Sequence, residues 1–313
     1  MYRNPAPWRR IPHHVRLVRR RPLGFPFTAP TWPRQVPRPP AERRTGVDYD
    51  TAWARRYPAR LARALILDGV TRPVVRALAA PEVEGLDRIE SLAAPAIFAV
   101  NHNSHVDTPL VMTSLPDRFR HRTAVAAGAD YFFDKRSKAA VWALSINAIP
   151  IERVRVSPQS TRLANALLRD GWSLIIFPEG GRSPDGWGQA HRAGAGYLSV
   201  RTGMPVVPVH LEGTRRISKK GAKGVRPSST RVTFGHPLRP AEGEDARTVA
   251  ARIERAIAVL ADEQAHGWWA ARRRAAGDAT PALTGPVGPS WRRTWALGEG
   301  RRPTTTERRW PPA

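Results

Sequence analysis

Residues 96–107 read Ala96-Ile97-Phe98-Ala99-Val100-Asn101-His102-Asn103-Ser104-His105-Val106-Asp107. Five apolar residues run without a break, and polarity then changes abruptly. A short uninterrupted apolar run of this kind predicts a strand buried on both faces. Ser104 followed three residues later by Asp107 outlines a capping box with Asp in place of Glu, so a helix is expected to start here. His102 then sits on the turn between strand and helix, where open α/β sheets collect ligands. On one continuous helix, residues five apart would point about 140° from each other. With His102 on the turn, a carboxylate in the first helical turn can instead reach back to the ring, fix its tautomer and stabilise its protonated form. An imidazole held that way is a general base for an alcohol near neutral pH. Taken alone, an H-x4-D spacing is common by chance, and a capped helix start with two polar turn histidines is the better account of it.

Working outward, the same strand-then-helix alternation repeats. Apolar runs predict strands at 96–100, 123–127, 148–151, 173–177, 206–211 and 231–234. Helical spacing falls between them at 107–115, 137–147, 158–169, 191–202 and 247–265, the last with Val249, Ile253, Ile257 and Leu260 on one face. This pattern predicts an α/β fold with a central, mostly parallel sheet flanked by helices. Ahead of it, Leu61, Leu65, Ile66 and Val70 recur at helical spacing. Pro73 interrupts or restarts that helix, and Val74, Val75 and Leu78 carry the stripe on. The chain therefore divides into a disordered Arg/Pro-rich tail (1–56), an amphipathic helical membrane-association segment (57–82), a catalytic domain (83–266) and an Arg/Trp/Pro-rich tail (267–313).

Charge is concentrated at the ends. The formal net charge is +25, of which 14 Arg and three acids in residues 1–60 supply +11, and nine Arg and three acids in residues 264–313 supply +6. Such ends favour anionic partners, whether lipid headgroups, phosphorylated substrates or nucleic acid. With no cysteine, disulfides, zinc–thiolate sites and a cysteine thioester are excluded. Arg19-Arg20-Arg21 runs into prolines instead of an apolar stretch, so no secretory signal is expected, and no apolar run is long enough to span a bilayer. A cytoplasmic location is expected and, if the protein works on lipid, peripheral attachment to the inner face of the cell membrane.

A second chemistry-bearing stretch, Phe177-Pro178-Glu179-Gly180-Gly181-Arg182-Ser183, follows the 173–177 strand. Two glycines let backbone N–H groups approach an anion, and an arginine grips phosphate through two parallel N–H bonds. A glycine turn in which Glu179 and Arg182 merely pair with each other is the plainer reading. Arg153 follows the 148–151 strand, where a solvated strand-end charge is likewise the plainer account. Pro208, inside the 206–211 strand, reads as structural.

In this order the segments resemble four blocks of the glycerolipid acyltransferase family, which includes bacterial 1-acylglycerol-3-phosphate acyltransferases. Asn101, His102, Ser104 and Asp107 match N-H-x-S-x-x-D. Ile149-Pro150-Ile151-Glu152-Arg153 resembles the second block, residues 177–183 match F-P-E-G-T-R-S except for Gly181 in place of Thr, and Val206-Val207-Pro208-Val209 resembles the fourth. A further departure is His191-Arg192-Ala193-Gly194, where the family often has aromatic-Lys-x-Gly. The resemblance covers about residues 60–265. It implies an O-acyltransferase of phospholipid biosynthesis that moves a fatty acyl group from acyl-CoA or acyl carrier protein to lysophosphatidic acid. It further implies His102 and Asp107 as the catalytic pair, Arg153, Glu179, Gly180, Gly181 and Arg182 at the acceptor phosphate, and no metal or cofactor. The implied partners are a lipid acceptor, a thioester donor and an anionic membrane surface, with no specific nucleic acid. Another lysophospholipid or glycerol 3-phosphate as acceptor is the alternative.

Three rival readings fit less well. His102-x-x-His105-x-Asp107 lacks the spacing and final histidine of a metallo-β-lactamase-type site, and the other histidines are scattered. Ser104 has no G-x-S-x-G elbow around it. A basic nucleic-acid- or membrane-binding protein without catalysis would account for the charged, Trp-bearing tails, but no recognition-helix or zinc-finger pattern is present.

Overall fold

The computed structural model describes residues 46–152, 158–221 and 224–284. Seven strands, β1 (Pro81–Glu84), β2 (Ile97–Val100), β3 (Thr123–Gly128), β4 (Ala148–Ile151), β5 (Ser173–Ile176), β6 (Val206–Glu212) and β7 (Thr230–Phe234), form one sheet in the order β1-β7-β6-β2-β5-β3-β4. Strands β6, β2, β5, β3 and β4 run parallel, while β7 pairs antiparallel to β6 and carries β1 with it. The α/β class and the mostly parallel sheet are as the sequence predicts. In chain order the helices are α1 (Tyr57–Ile66), α2 (Arg72–Ala79), α3 (Asp107–Ser114), α4 (Asp117–Arg120), α5 (Ala129–Phe132), α6 (Arg136–Ile146), α7 (Pro158–Arg169), α8 (Gly194–Thr202), α9 (Thr214–Ile217), α10 (Ala246–His266) and α11 (Trp268–Ala276). Strand β1 and the one-turn helices α4, α5 and α9 escape the sequence reading because they are too short to show a period. Strand β1 holds Val83 between two glutamates at the sheet edge.

Strand β2 lies inside the sheet, with Ile97 opposite both Leu174 and Val206. Its side chains alternate between two cores. Phe98 and Val100 join Leu110, Val111, Phe119 and Phe234, with Phe98 set edge-on to Phe119 at 5.3 Å between ring centres. Ile97 and Ala99 face Leu198, Val249, Ile253 and Ile257 beneath α8 and α10. Burial on both faces is why this segment shows no polar alternation. Asp245 caps α10 by accepting hydrogen bonds from the N–H groups of Arg247 and Thr248.

The segment ahead of the sheet is one bent helical rod. A π-helical turn, Leu67–Thr71, joins α1 to α2, with the Arg72 N–H bonded to the Leu67 carbonyl five residues back. Pro73 has no N–H for the preceding turn, and the widened turn accommodates that loss. Leu67, Val75 and Ala79 pack inward, whereas Leu61, Leu65, Val70 and Val74 are exposed. Arg63 is buried instead, donating to the carbonyls of Leu144 and Ala54. Those bonds explain a difference from the expected boundaries: residues 46–56 are not a tail. Thr51 and Ala54 are buried, and the Tyr49 ring lies against Phe133. At the other end ordered structure passes residue 266, because Arg274 of α11 donates two 2.7 Å bonds to Asp262 and the Leu283 carbonyl receives the Gly188 N–H. Residues 1–45 and 285–313, also expected as tails, lie outside the described residues. Among the described residues no helix is long and apolar enough to cross a membrane.

Candidate active site

The site forms where β2 ends at the carboxyl edge of the parallel strands. Asn101 pins that end to β6: its side-chain amide donates to the Leu211 carbonyl at 3.0 Å, and its carbonyl oxygen receives the Leu211 N–H at 2.7 Å. His102 therefore emerges at a fixed place. Its Nδ1 lies 2.8 Å from Asp107 Oδ2, and the same oxygen accepts the N–H groups of Asn103 and Ser104 at 2.6 and 2.8 Å. Asp107 is fully buried and His102 partly exposed. The carboxylate acceptor at Nδ1 places the ring proton there and leaves Nε2 as the ring's acceptor nitrogen. Phe177 stacks on the imidazole at 4.1 Å between ring centres and covers one face.

The capping box is only half formed. Asp107 does reach back to the Ser104 N–H, but α3 begins at Asp107 itself, and Ser104 Oγ accepts from the Val106 N–H at 3.3 Å instead of capping the helix. Turn residues 103–106 remain outside α3, and this turn is what lets the carboxylate meet the ring.

The 177–183 stretch lies alongside. The Ser183 N–H donates to the His102 carbonyl at 2.8 Å, and Glu179 Oε1 accepts the His102 N–H at 2.8 Å. The other Glu179 oxygen accepts the Gln189 N–H at 2.9 Å. Glu179 is only 3% exposed, and burial pushes its pKa up to about 7. The two N–H bonds oppose that rise, and the charges of Asp107 and Glu254 add to it. Glu179, expected at the acceptor phosphate, accepts two backbone N–H groups. Gly180 has φ +74°, and a side chain there would come within 2.7 Å of Arg192 Nε, so the loop needs glycine for both conformation and space. The Gly181 carbonyl accepts a 3.4 Å bond from the Gln189 side-chain amide.

Arg182 is near enough to His105 that its charge, after burial, is the next cause of that imidazole's lowered pKa, followed by His102. The structure thus brings His102, Asp107, Glu179, Gly180 and Arg182 to one place. Arg153, the remaining residue expected here, lies outside the described residues. Sequence reasoning assigned no part to Gln189 or Arg215. Arg215 of α9 donates to the carbonyls of Ser183 and Pro184, bracing the far end of the loop. No spacing could have placed it there, since 31 residues separate Arg215 from Pro184. His191 donates its backbone N–H to Glu254 of α10, tying the loop's end to the domain.

Residues 80–212 match the family model described as Acyltransferase. A chloroplastic 1-acyl-sn-glycerol-3-phosphate acyltransferase of Brassica napus, BAT2, is 30% identical over 166 residues, which are 50% of this chain and 44% of that protein. The 1-acyl-sn-glycerol-3-phosphate acyltransferase of Pseudomonas aeruginosa is 33% identical over 129 residues, or 40% of this chain and 49% of the relative. The chain thus spans less than half the length of these relatives. Among solved structures, the 1-acyl-sn-glycerophosphate acyltransferase PlsC of Thermotoga maritima shares the fold, with a TM-score of 0.55 and 24% identity over 70% of this chain and 85% of that one. Residues 80–212, which carry the His102–Asp107 pair and the 177–183 loop, thus match the Acyltransferase family model, and parts of the chain are similar to plant and bacterial 1-acyl-sn-glycerol-3-phosphate acyltransferases.

Proposed function

We propose that the protein transfers a fatty acyl group from a thioester, acyl-CoA or acyl carrier protein, to the free hydroxyl of 1-acyl-glycerol 3-phosphate, forming phosphatidic acid. The carrying observation is the 2.8 Å contact of His102 Nδ1 with the buried Asp107 carboxylate, on a partly exposed imidazole whose backbone is bonded to the loop that holds Arg182. His102 Nε2 takes the hydroxyl proton as the oxygen attacks the thioester carbonyl. The tetrahedral intermediate collapses, the carbon–sulfur bond breaks, and the imidazolium returns the proton to the departing thiolate. Asp107 stabilises the imidazolium between those events. Arg182, the loop at Gly180 and Gly181, and Arg153 hold the acceptor phosphate. Direct attack requires neither a covalent acyl-enzyme nor a cofactor. The names of the plant and bacterial relatives support this acceptor. A panel of lysophosphatidic acid, other lysophospholipids and glycerol 3-phosphate, each with one acyl-CoA, tests it. Turnover of the first that disappears in His102→Ala is expected; wild-type turnover in that variant overturns the reading.

The acceptor is a membrane lipid, and the proposal includes peripheral attachment to the inner face of the cell membrane. Tyr57, Leu61 and Leu65 stand exposed along α1 among arginines, a combination suited to an anionic lipid interface.

A further inference from the structure

Glu179 is a buried ionisable group to which the proposed reaction assigns no part. We propose that Glu179 is a positioning residue, whose carboxylate ties the backbone of His102 to that of Gln189 and so sets the imidazole against the loop that faces it. The inference rests on the acyl-transfer reading of His102.

Both oxygens are committed, Oε1 to the His102 N–H at 2.8 Å and Oε2 to the Gln189 N–H at 2.9 Å. The His102 carbonyl is bound from the same loop by the Ser183 N–H, so both of its backbone polar groups are held by residues 179–183. A buried carboxylate so engaged is held by the backbone, and its charge would repel a phosphate. Only the ionised group supplies two acceptors for two N–H donors. Protonation turns one oxygen into a donor aimed at a donor, and glutamine does the same permanently. The surroundings make that protonation reachable. Burial, with Asp107 from α3 and Glu254 from α10, raises the pKa to about 7. The other charged or titratable neighbours are His102 itself, His191 beside Glu254, and Arg192 packed over Gly180. The clasp is therefore closed on the alkaline side of neutrality and loosened on the acid side.

The test is steady-state kinetics of the full chain with lysophosphatidic acid and one acyl-CoA across neutral pH, for wild type, Glu179→Gln and Glu179→Asp. A displaced imidazole is expected to lower kcat about 100-fold. The acceptor KM should stay within about twofold, because ground-state binding is untouched. The acid limb of log kcat against pH should lose one ionisation in Glu179→Gln. Glu179→Asp keeps the charge but not the reach, and should lower kcat without removing that ionisation. An acceptor KM raised about tenfold at unchanged kcat would mean that Glu179 touches the acceptor, and overturns the proposal. So does an unchanged kcat in both variants. If wild type acylates none of the acceptors, the functional reading fails, and the clasp is then read by NMR in wild-type protein. The His102 and Gln189 amide resonances should titrate together near neutral pH, and amides that stay fixed there refute it.

Discussion

At the scale of single residues, the arrangement separates groups that act on substrate from groups that place them. Replacing His102 by Ala removes the proposed base and should lower kcat by about 10²–10⁴-fold. Asp107→Asn keeps the shape but loses the charge that balances an imidazolium. A loss of about 10²–10⁴-fold in kcat is expected, with the acceptor KM little changed. A large KM effect there would show that Asp107 contacts substrate. Arg182 carries the opposite signature: Arg182→Lys retains charge without the planar fork and should raise the acceptor KM by about tenfold while kcat holds. A fall in kcat alone would move Arg182 out of the phosphate site.

At the scale of elements, the site depends on how closely α8 and α10 pack beneath β2. Gly196 of α8 lies directly against the α10 backbone, and a Cβ there would collide with the Ala246 carbonyl oxygen. Gly196→Ala should therefore destabilise the fold by about 1–3 kcal/mol, read from denaturant unfolding. A neutral result would mean that α10 shifts freely, and that the Glu254 link to the loop is slack. The α1 rod shows a division that periodicity could not resolve. Its apolar positions are split between an inward face, with Leu67, and an outward one, with Leu61 and Leu65. Leu61→Glu with Leu65→Glu should therefore weaken sedimentation with anionic vesicles while leaving thermal stability intact. Undiminished binding would remove α1 from the membrane contact. Removing residues 1–80 outright would not test this, since Thr51, Leu67, Val75 and Ala79 belong to the packed interior.

At the scale of the whole molecule, buried titratable groups make stability depend on pH in two opposing ways. The pKa of His210, packed against α10 and hydrogen-bonded to Gln264, lies below its ordinary value of 6.5, chiefly through burial. His191 is lowered for the same first reason. The unfolded chain thus binds more protons at these positions, and stability falls as pH drops below about 6.5. Glu179 has the reverse sign. Its pKa is raised from 4.5 to about 7, so the folded state binds the extra proton and stability falls as pH rises through that interval. Thermal midpoints measured across pH should accordingly fall less steeply on the acid side in His210→Gln than in wild type. In Glu179→Gln the loss on the neutral side should be smaller. Identical pH profiles in all three proteins would contradict these assignments.

The sequence by itself determined the class of fold and the centre of the site. Short, largely apolar runs bounded by polar turns predict strands covered on both sides, so 96–100, 173–177 and 206–211, alternating with helical patterns, pointed to a buried, mostly parallel sheet. A histidine and an aspartate five residues apart, across a strand-to-helix turn, declared a local pair because so short a segment has few ways to fold. What the sequence left open depends on long-range approach. Glu179 and Arg182 stand three residues apart in one motif, yet the fold turns Glu179 inward to two backbone donors and leaves Arg182 near His105. Arg63, a charged residue of the α1 helix, is drawn inside by carbonyls at Ala54 and Leu144. Arg215 reaches the site loop from α9. Periodicity reports which residues are apolar, but only the packed tertiary structure decides which polar groups meet, because a buried donor or acceptor must find its partner wherever the chain brings one.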